Sequence, residues 1–228
     1  MGTPVDPQDP VQFPIAPLAG EALEKMQKSW RRADLNRYLR RFMHIPVPEM
    51  PDEVWSYERI HLDVGCGQGL FVFTEAARHP KTAFVGVDKS PVRINRLKER
   101  SLGMCNVFPL HTNVTPLLAR LPDESLDGLT IFYPNPWWPV KHAGKRWSYH
   151  PVLCEFSRIM RPNGIILLAS NEHFYLREWL TAACHHPRLS HLKIDYCGPV
   201  RCDEPRTHFE AQFLDRQQSL GEITLRHL

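Results

Sequence analysis

From residue 60 onward the chain alternates short apolar runs with stretches whose apolar residues recur at helical spacing. Residues 60–64, 82–87, 106–111, 126–133 and 165–169 read as strands, and 192–196 and 209–214 are two later strand candidates. Residues 70–78, 91–102, 149–160 and 172–184 read as helices, the second with Pro91 in its first turn, where a missing N–H is harmless. Strands that are apolar throughout are buried on both faces, so the alternation predicts an α/β fold with a mostly parallel sheet and helices on both faces. Ahead of it, residues 21–43 contain neither Pro nor Gly and carry Leu23, Met26, Trp30, Leu35 and Leu39, a helix with an imperfect apolar stripe. Residues 1–20 hold five prolines and predict a flexible arm, while Pro46, Pro48 and Pro51 make a linker. The expected divisions are therefore an arm at 1–20, a basic helix and linker at 21–57, and one folded domain at 58–228.

With 228 residues, 43% of them hydrophobic, the chain has enough apolar material for a core, which excludes a disordered or low-complexity protein. Its longest uncharged apolar run, 164–169, falls far short of the ~20 residues a membrane helix needs. Residues 1–20 carry Asp6 and Asp9 and no Lys or Arg, unlike a signal peptide. Six cysteines without a CxxC pair point to a reducing, cytoplasmic compartment. Cys184, His185, His186, His191, Cys197 and Cys202 match no zinc spacing, so no metal is expected. The net charge of +3 is unevenly placed: residues 21–43 alone hold seven basic and three acidic side chains. Such an element suits a polyanion, but on charge alone a solvated helix face is the preferred reading.

The sharpest local motif is Asp63-Val64-Gly65-Cys66-Gly67-Gln68-Gly69, between the first strand and the first helix of the domain. Glycines there permit a tight turn and let a ligand approach the main chain. Asp88 follows the second strand, 19 residues beyond Gly69, where an acid can accept hydrogen bonds from ribose hydroxyls. A dinucleotide loop wants G-x-G-x-x-G, and its last glycine is here Leu70. Asp-x-Gly-x-Gly-x-Gly instead resembles motif I of the class I methyltransferases, which bind S-adenosylmethionine. A bare strand-to-helix turn is the remaining reading, and the placed acid weighs against it.

After the fourth strand comes Tyr133-Pro134-Asn135-Pro136-Trp137-Trp138-Pro139. Three prolines cannot continue a central strand, so this is a stiff loop at the sheet edge where open α/β folds bind ligands. An amide between prolines beside tryptophans suits a flat aromatic ring; inward-packed tryptophans in a structural turn are the alternative.

Taken in order, the motifs of residues 58–228 resemble the bacterial tRNA (guanine-N7)-methyltransferase family. Its Pro-Asp-Pro-Trp loop is matched by Pro134–Trp137, and its basic stretch by Lys141-His142-Ala143-Gly144-Lys145-Arg146. Its Thr-Asp pair after strand five is matched by Ser170-Asn171, and its Thr-x-Tyr/Phe-Glu by Thr207-His208-Phe209-Glu210. A Gly and a strand then follow, as at Gly221-Glu222-Ile223. The resemblance implies the class I (Rossmann-like) seven-stranded fold. It implies S-adenosylmethionine held by Asp63, Gly65, Cys66, Gly67, Gly69, Asp88, Lys89 and Asn113, with the Cys66 thiol itself a packing group. It implies Asn135 and Glu210 as catalytic residues and Trp137, Trp138, Lys145, Arg146, Asn171 and Thr207 around the acceptor, the two basic residues meeting phosphate or the cofactor carboxylate.

The departures fall on the acceptor side. The family's two acids are Asn135 and Asn171 here, its third basic residue is Trp147, and its Arg-Ser-Phe-type arm has only a loose echo at Lys28–Arg32. Guanine N7 presents a free lone pair, so attack on the methyl needs positioning and not a general base. The product is cationic, however, and two amides cannot balance that charge; Glu210 is the acid that remains. The expected acceptor is thus a ring nitrogen of tRNA guanine, or alternatively a small purine-like (azapurine-type) metabolite in natural-product biosynthesis. The expected partner is the tRNA or that small molecule, with no membrane, the chain being a monomer or homodimer.

Overall fold

The computed structural model describes residues 11–42 and 47–228. Its strands are β1 (Arg59–Val64), β2 (Thr82–Asp88), β3 (Val107–His111), β4 (Leu126–Phe132), β5 (Met160–Ser170), β6 (Leu192–Pro199) and β7 (Gly221–His227). They form one seven-stranded sheet in the order β3-β2-β1-β4-β5-β7-β6. β7 runs antiparallel to β5 and β6, and the other pairings are parallel. Successive residues of β2 enter different cores: Phe84 packs with Val72, Ala76 and Leu97, while Val85 joins Leu62, Leu129 and Ile166 on the other side. Both faces are therefore covered, which is why residues 83–87 of β2 and 165–169 of β5 are unbroken apolar runs. The strand order reverses between β1 and β4, so the crevice at the carboxyl ends of these strands is the natural ligand site.

Eight α-helices are described: α1 (Gly20–Arg32), α2 (Leu35–Leu39), α3 (Leu70–Arg78), α4 (Pro91–Arg100), α5 (Val114–Leu118), α6 (Glu155–Ile159), α7 (His173–His185) and α8 (His208–Asp215). Five of these differ from the pattern of the sequence. Residues 209–214, expected as a strand, lie in α8, because the Thr207 side chain accepts the Glu210 N–H at 3.0 Å and Arg206 pairs with Glu210 one turn on. The helix expected over 21–43 breaks at Ala33, after which the Asp34 carboxylate caps α2 through the Arg37 N–H. Residues 40–42 form a 3₁₀ turn, and 43 lies outside the described residues. The helix expected over 149–160 is a chain of short turns up to Cys154, interrupted by Pro151, and only then α6. α5 was not legible as a helix at all; it is five residues long and is capped by Asn113.

The flexible arm is corrected for its described part. Val11 and Ile15 are buried, the Leu18 N–H donates to Thr181 Oγ1 at 2.7 Å, and Arg177 Nε donates to the Ala16 carbonyl. Residues 11–18 are thus docked along α7; the remainder of the expected arm, 1–10, lies outside the described residues, as does Pro46.

Candidate active site

β1 delivers the chain into a turn whose Gly65 and Gly67 have φ of 74° and 57°. A Cβ at either position would meet nothing within 4 Å, whereas one at Gly69 would sit 2.2 Å from Leu97 Cδ1. Gly69 is therefore a packing glycine, and the other two keep an open backbone face. The Gly65 and Cys66 N–H groups both donate to the Val87 carbonyl, which ties the turn to the end of β2. Burial pushes the Cys66 thiol well above its ordinary pKa, and it packs beside Gly86.

Asp88, 4% exposed, anchors the turn: its carboxylate accepts the Gly67 N–H at 3.2 Å, the Ser90 N–H at 2.8 Å and Arg93 Nη1 at 3.3 Å. Asp63 lies deeper and accepts the Thr130 hydroxyl at 2.6 Å. Burial raises its carboxyl to about 7, the Thr130 bond pulling down and the Asp88 charge pushing up. Asn113 is occupied in capping α5, and Lys89 is exposed, with its carbonyl against His111.

Across the crevice, β4 runs into the proline loop. Phe132 packs edge-on against Phe71 at 5.0 Å, which sets this loop beside the helix that follows the glycine turn. Tyr133 and Trp137 both take positive φ, 48° and 47°, a conformation that bulky residues adopt only when held there. Tyr133 is held by Glu210 and the Ala169 carbonyl, and Trp137 by Arg146. Arg146 is 5% exposed, donates to the carbonyls of Pro136, Trp137 and Trp138, pairs with Glu178 of α7, and lies over the Phe174 ring. The expectation that Arg146 meets phosphate or cofactor is corrected: its donors are taken by the loop. Lys145, by contrast, is exposed, with its ammonium 4.2 Å from the Trp137 ring centroid. Asn135 Oδ1 accepts the Trp137 N–H at 3.0 Å, and Trp138 is half exposed.

Glu210 is also corrected. It is fully buried, and its oxygens accept the Tyr133 hydroxyl at 2.6 Å, Arg206 Nη2 at 2.7 Å and the Arg206 N–H. Burial would raise this carboxyl, but Arg206 and Tyr133 hold it below the usual carboxylate range. It fastens the loop after β4 to α8 and has no acceptor capacity left for a substrate. Arg206, which the sequence pattern did not single out, bridges Glu210 and Glu222. Its signal was the Arg206–Glu210 spacing beside the Thr207-x-x-Glu210 cap. Thr207 serves as that cap.

The end of β5 faces the loop, with the Tyr133 N–H on the Ala169 carbonyl at 2.9 Å. Here Asn171 donates to Glu172 at 3.3 Å, and Glu172, a second residue missed from sequence, is 5% exposed. Burial pushes its carboxyl up, against the pull of the Trp138 and Asn171 side chains.

The basic helices adjoin this wall. Trp30 Nε1 donates to the Ser148 carbonyl at 2.8 Å, and Tyr38 packs on His150 at 4.4 Å. Lys25, Lys28, Arg31, Arg32, Arg37, Arg40 and Arg41 stay largely exposed. Among the described residues no group of three or more His, Cys, Asp or Glu could hold a metal, and no helix is long and apolar enough to cross a membrane.

A family model described as "Putative methyltransferase" matches residues 57–223. The tRNA (guanine-N(7)-)-methyltransferase of Rhizobium johnstonii is 29% identical over 174 residues, 74% of this chain and 74% of its own. The enzyme of that name from Rhizobium meliloti is 31% identical, over 74% of this chain and 75% of its own. Among solved structures, the 16S rRNA methyltransferase KamB superposes with a TM-score of 0.56 at 20% identity, over 80% of this chain and 96% of that one. At that identity the likeness establishes the fold.

Proposed function

Because the chain belongs to the Methyltransf_4 family, as a divergent relative of the tRNA (guanine-N7)-methyltransferases, we propose that it methylates N7 of a guanine base in tRNA. It is a methyltransferase, and S-adenosylmethionine is its methyl donor. The observation that carries the acceptor assignment is the 31% identity to a tRNA (guanine-N(7)-)-methyltransferase across 74% of the chain. The small-heterocycle alternative gains nothing from these relatives, which are named as tRNA enzymes.

The residues present fit the donor. When bound, it supplies an electrophilic methyl group on a sulfonium centre. Gly65 and Gly67 leave a backbone face that a side chain would obstruct, Asp88 lies where ribose hydroxyls meet the end of β2, and Asp63 adds a buried carboxyl suited to a cation. The negative potential of Asp63 and Asp88 favours the positively charged donor over its neutral product, which aids turnover.

For the acceptor the protein's task is positioning. Trp138 offers a stacking face, and Asn135 presents its amide from a loop pinned by Arg146. Lys145 and the exposed face of α1 and α2 take tRNA phosphates, with residues 58–228 as the catalytic domain. Methyl transfer to unmodified tRNA, run beside free purine bases, tests this reading: tRNA becomes labelled and the bases do not. The reverse result removes it.

A further inference from the structure

Burying a charge without a counter-ion is unfavourable, so a buried carboxyl that lacks one either holds a proton or has its charge met by a ligand from outside. Six carboxylates are buried among the described residues: Asp63, Asp88, Glu172, Glu178, Glu210 and Glu222. Four are paired with arginine, Asp88 with Arg93, Glu178 with Arg146, Glu210 with Arg206, and Glu222 with both Arg201 and Arg206. Asp63 and Glu172 pair with no Arg or Lys among the described residues. Asp63 adjoins the glycine turn, whose ligand is a cation. Glu172 adjoins the proline loop, on the acceptor side.

We propose that Glu172 is the carboxylate of the acceptor pocket, restoring one residue later the negative charge that Asn135 and Asn171 do not carry. The proposal rests on the guanine reading above.

Its backbone is fixed, because its N–H donates to Ser170 Oγ at 3.0 Å and its carbonyl accepts the Tyr175 and Leu176 N–H groups at the start of α7. Asn171 Nδ2 donates to Oε1 at 3.3 Å, and the Trp138 indole bears on the same carboxylate. A carboxylate has about four acceptor positions, so two donors leave capacity for a ligand. Asn171 is thereby a positioning residue for the neighbouring acid. Its own oxygen remains available.

The chemistry asks for a carboxylate here. N7 of guanine gains its bond to carbon as the methyl–sulfur bond breaks, with that electron pair staying on sulfur, and no proton moves. The base acquires a positive charge spread over both rings, which strengthens its N1–H and amino group as donors. A carboxylate accepting from that edge binds more tightly as the bond forms, which lowers the barrier.

The test uses the full chain, with Glu172→Gln and the double variant Asn171→Asp/Glu172→Gln. Methyl transfer to unmodified tRNA gives kcat and KM, calorimetry gives S-adenosylmethionine affinity, and tryptophan quenching gives affinities for guanosine and cationic 7-methylguanosine. Wild type is expected to prefer the cationic nucleoside. Glu172→Gln should abolish that preference and lower kcat by ~30-fold or more, the scale of losing one transition-state hydrogen bond to charge, with donor affinity within about twofold. The double variant should recover about a tenth or more of the wild-type kcat. Retained nucleoside preference and kcat within about twofold of wild type in Glu172→Gln would overturn the proposal. If that variant does not fold, a double variant that folds but shows neither rescue nor preference overturns it as well. A wild-type chain that binds the donor but leaves tRNA unlabelled defeats the guanine reading instead, and the nucleoside preference then decides on Glu172.

Discussion

At the scale of single residues, Arg146 shows how a side chain expected at a ligand can be taken over by architecture. It satisfies three loop carbonyls and one buried carboxylate, and Trp137, whose carbonyl it binds, holds a positive φ. Arg146→Ala should cost about 3–5 kcal/mol in urea unfolding, because Glu178 is left buried and unpaired. Arg146→Lys should recover little, since an ammonium cannot fork to several acceptors. A loss below about 1 kcal/mol would contradict this role.

Asp63 gives a residue-scale pH dependence. Burial holds its carboxyl at about 7 in the free protein, so below that pH a proton must leave before a cation can be met by a carboxylate. Donor affinity should therefore rise with pH towards 7 and level above it, at most ~tenfold per unit on the acidic side. Calorimetry between about pH 6 and pH 8 should find this slope in wild type and none in Asp63→Asn; equal slopes would refute it. Glycines and Asp88 were legible because their chemistry depends on spacing along the chain. Glu172 and Arg206 were not, because burial and the absence or presence of a counter-ion exist only once distant elements meet.

At the scale of elements, strand–helix alternation carried the central sheet, and errors gathered where capping overrides pattern. Phe209 and Phe213 look like strand residues, yet Thr207 and the Arg206–Glu210 pair commit them to α8. Asp34 likewise divides the basic segment into α1 and α2. Packing of Trp30 on Ser148 and Tyr38 on His150 then decides what charge alone left open, since it attaches the basic helices to the chain segment just beyond Lys145. Replacing Arg31, Arg32, Arg40 and Arg41 with Gln should weaken tRNA binding and flatten its salt dependence by about 0.7–0.9 in log–log slope for each phosphate no longer neutralised. Donor affinity should not change. Filter binding across a salt series checks this, and an unaltered slope would make α1 and α2 a solvated flank.

At the scale of the whole molecule, the reversal of strand order between β1 and β4 brings the glycine turn and the proline loop to one crevice, each beside a buried carboxylate without an arginine. In the proposed function one carboxylate meets the cationic donor, and the other an acceptor that becomes cationic. The overall +3 charge says little about this, because its excess lies in residues 21–43 and neither carboxylate does. The most direct measurement is to incubate the full chain with S-adenosylmethionine and unmodified tRNA, digest the tRNA to nucleosides, and identify the methylated product by mass spectrometry. The prediction is 7-methylguanosine. A different methylated nucleoside, or unmodified tRNA alongside a methylated free purine, would contradict it.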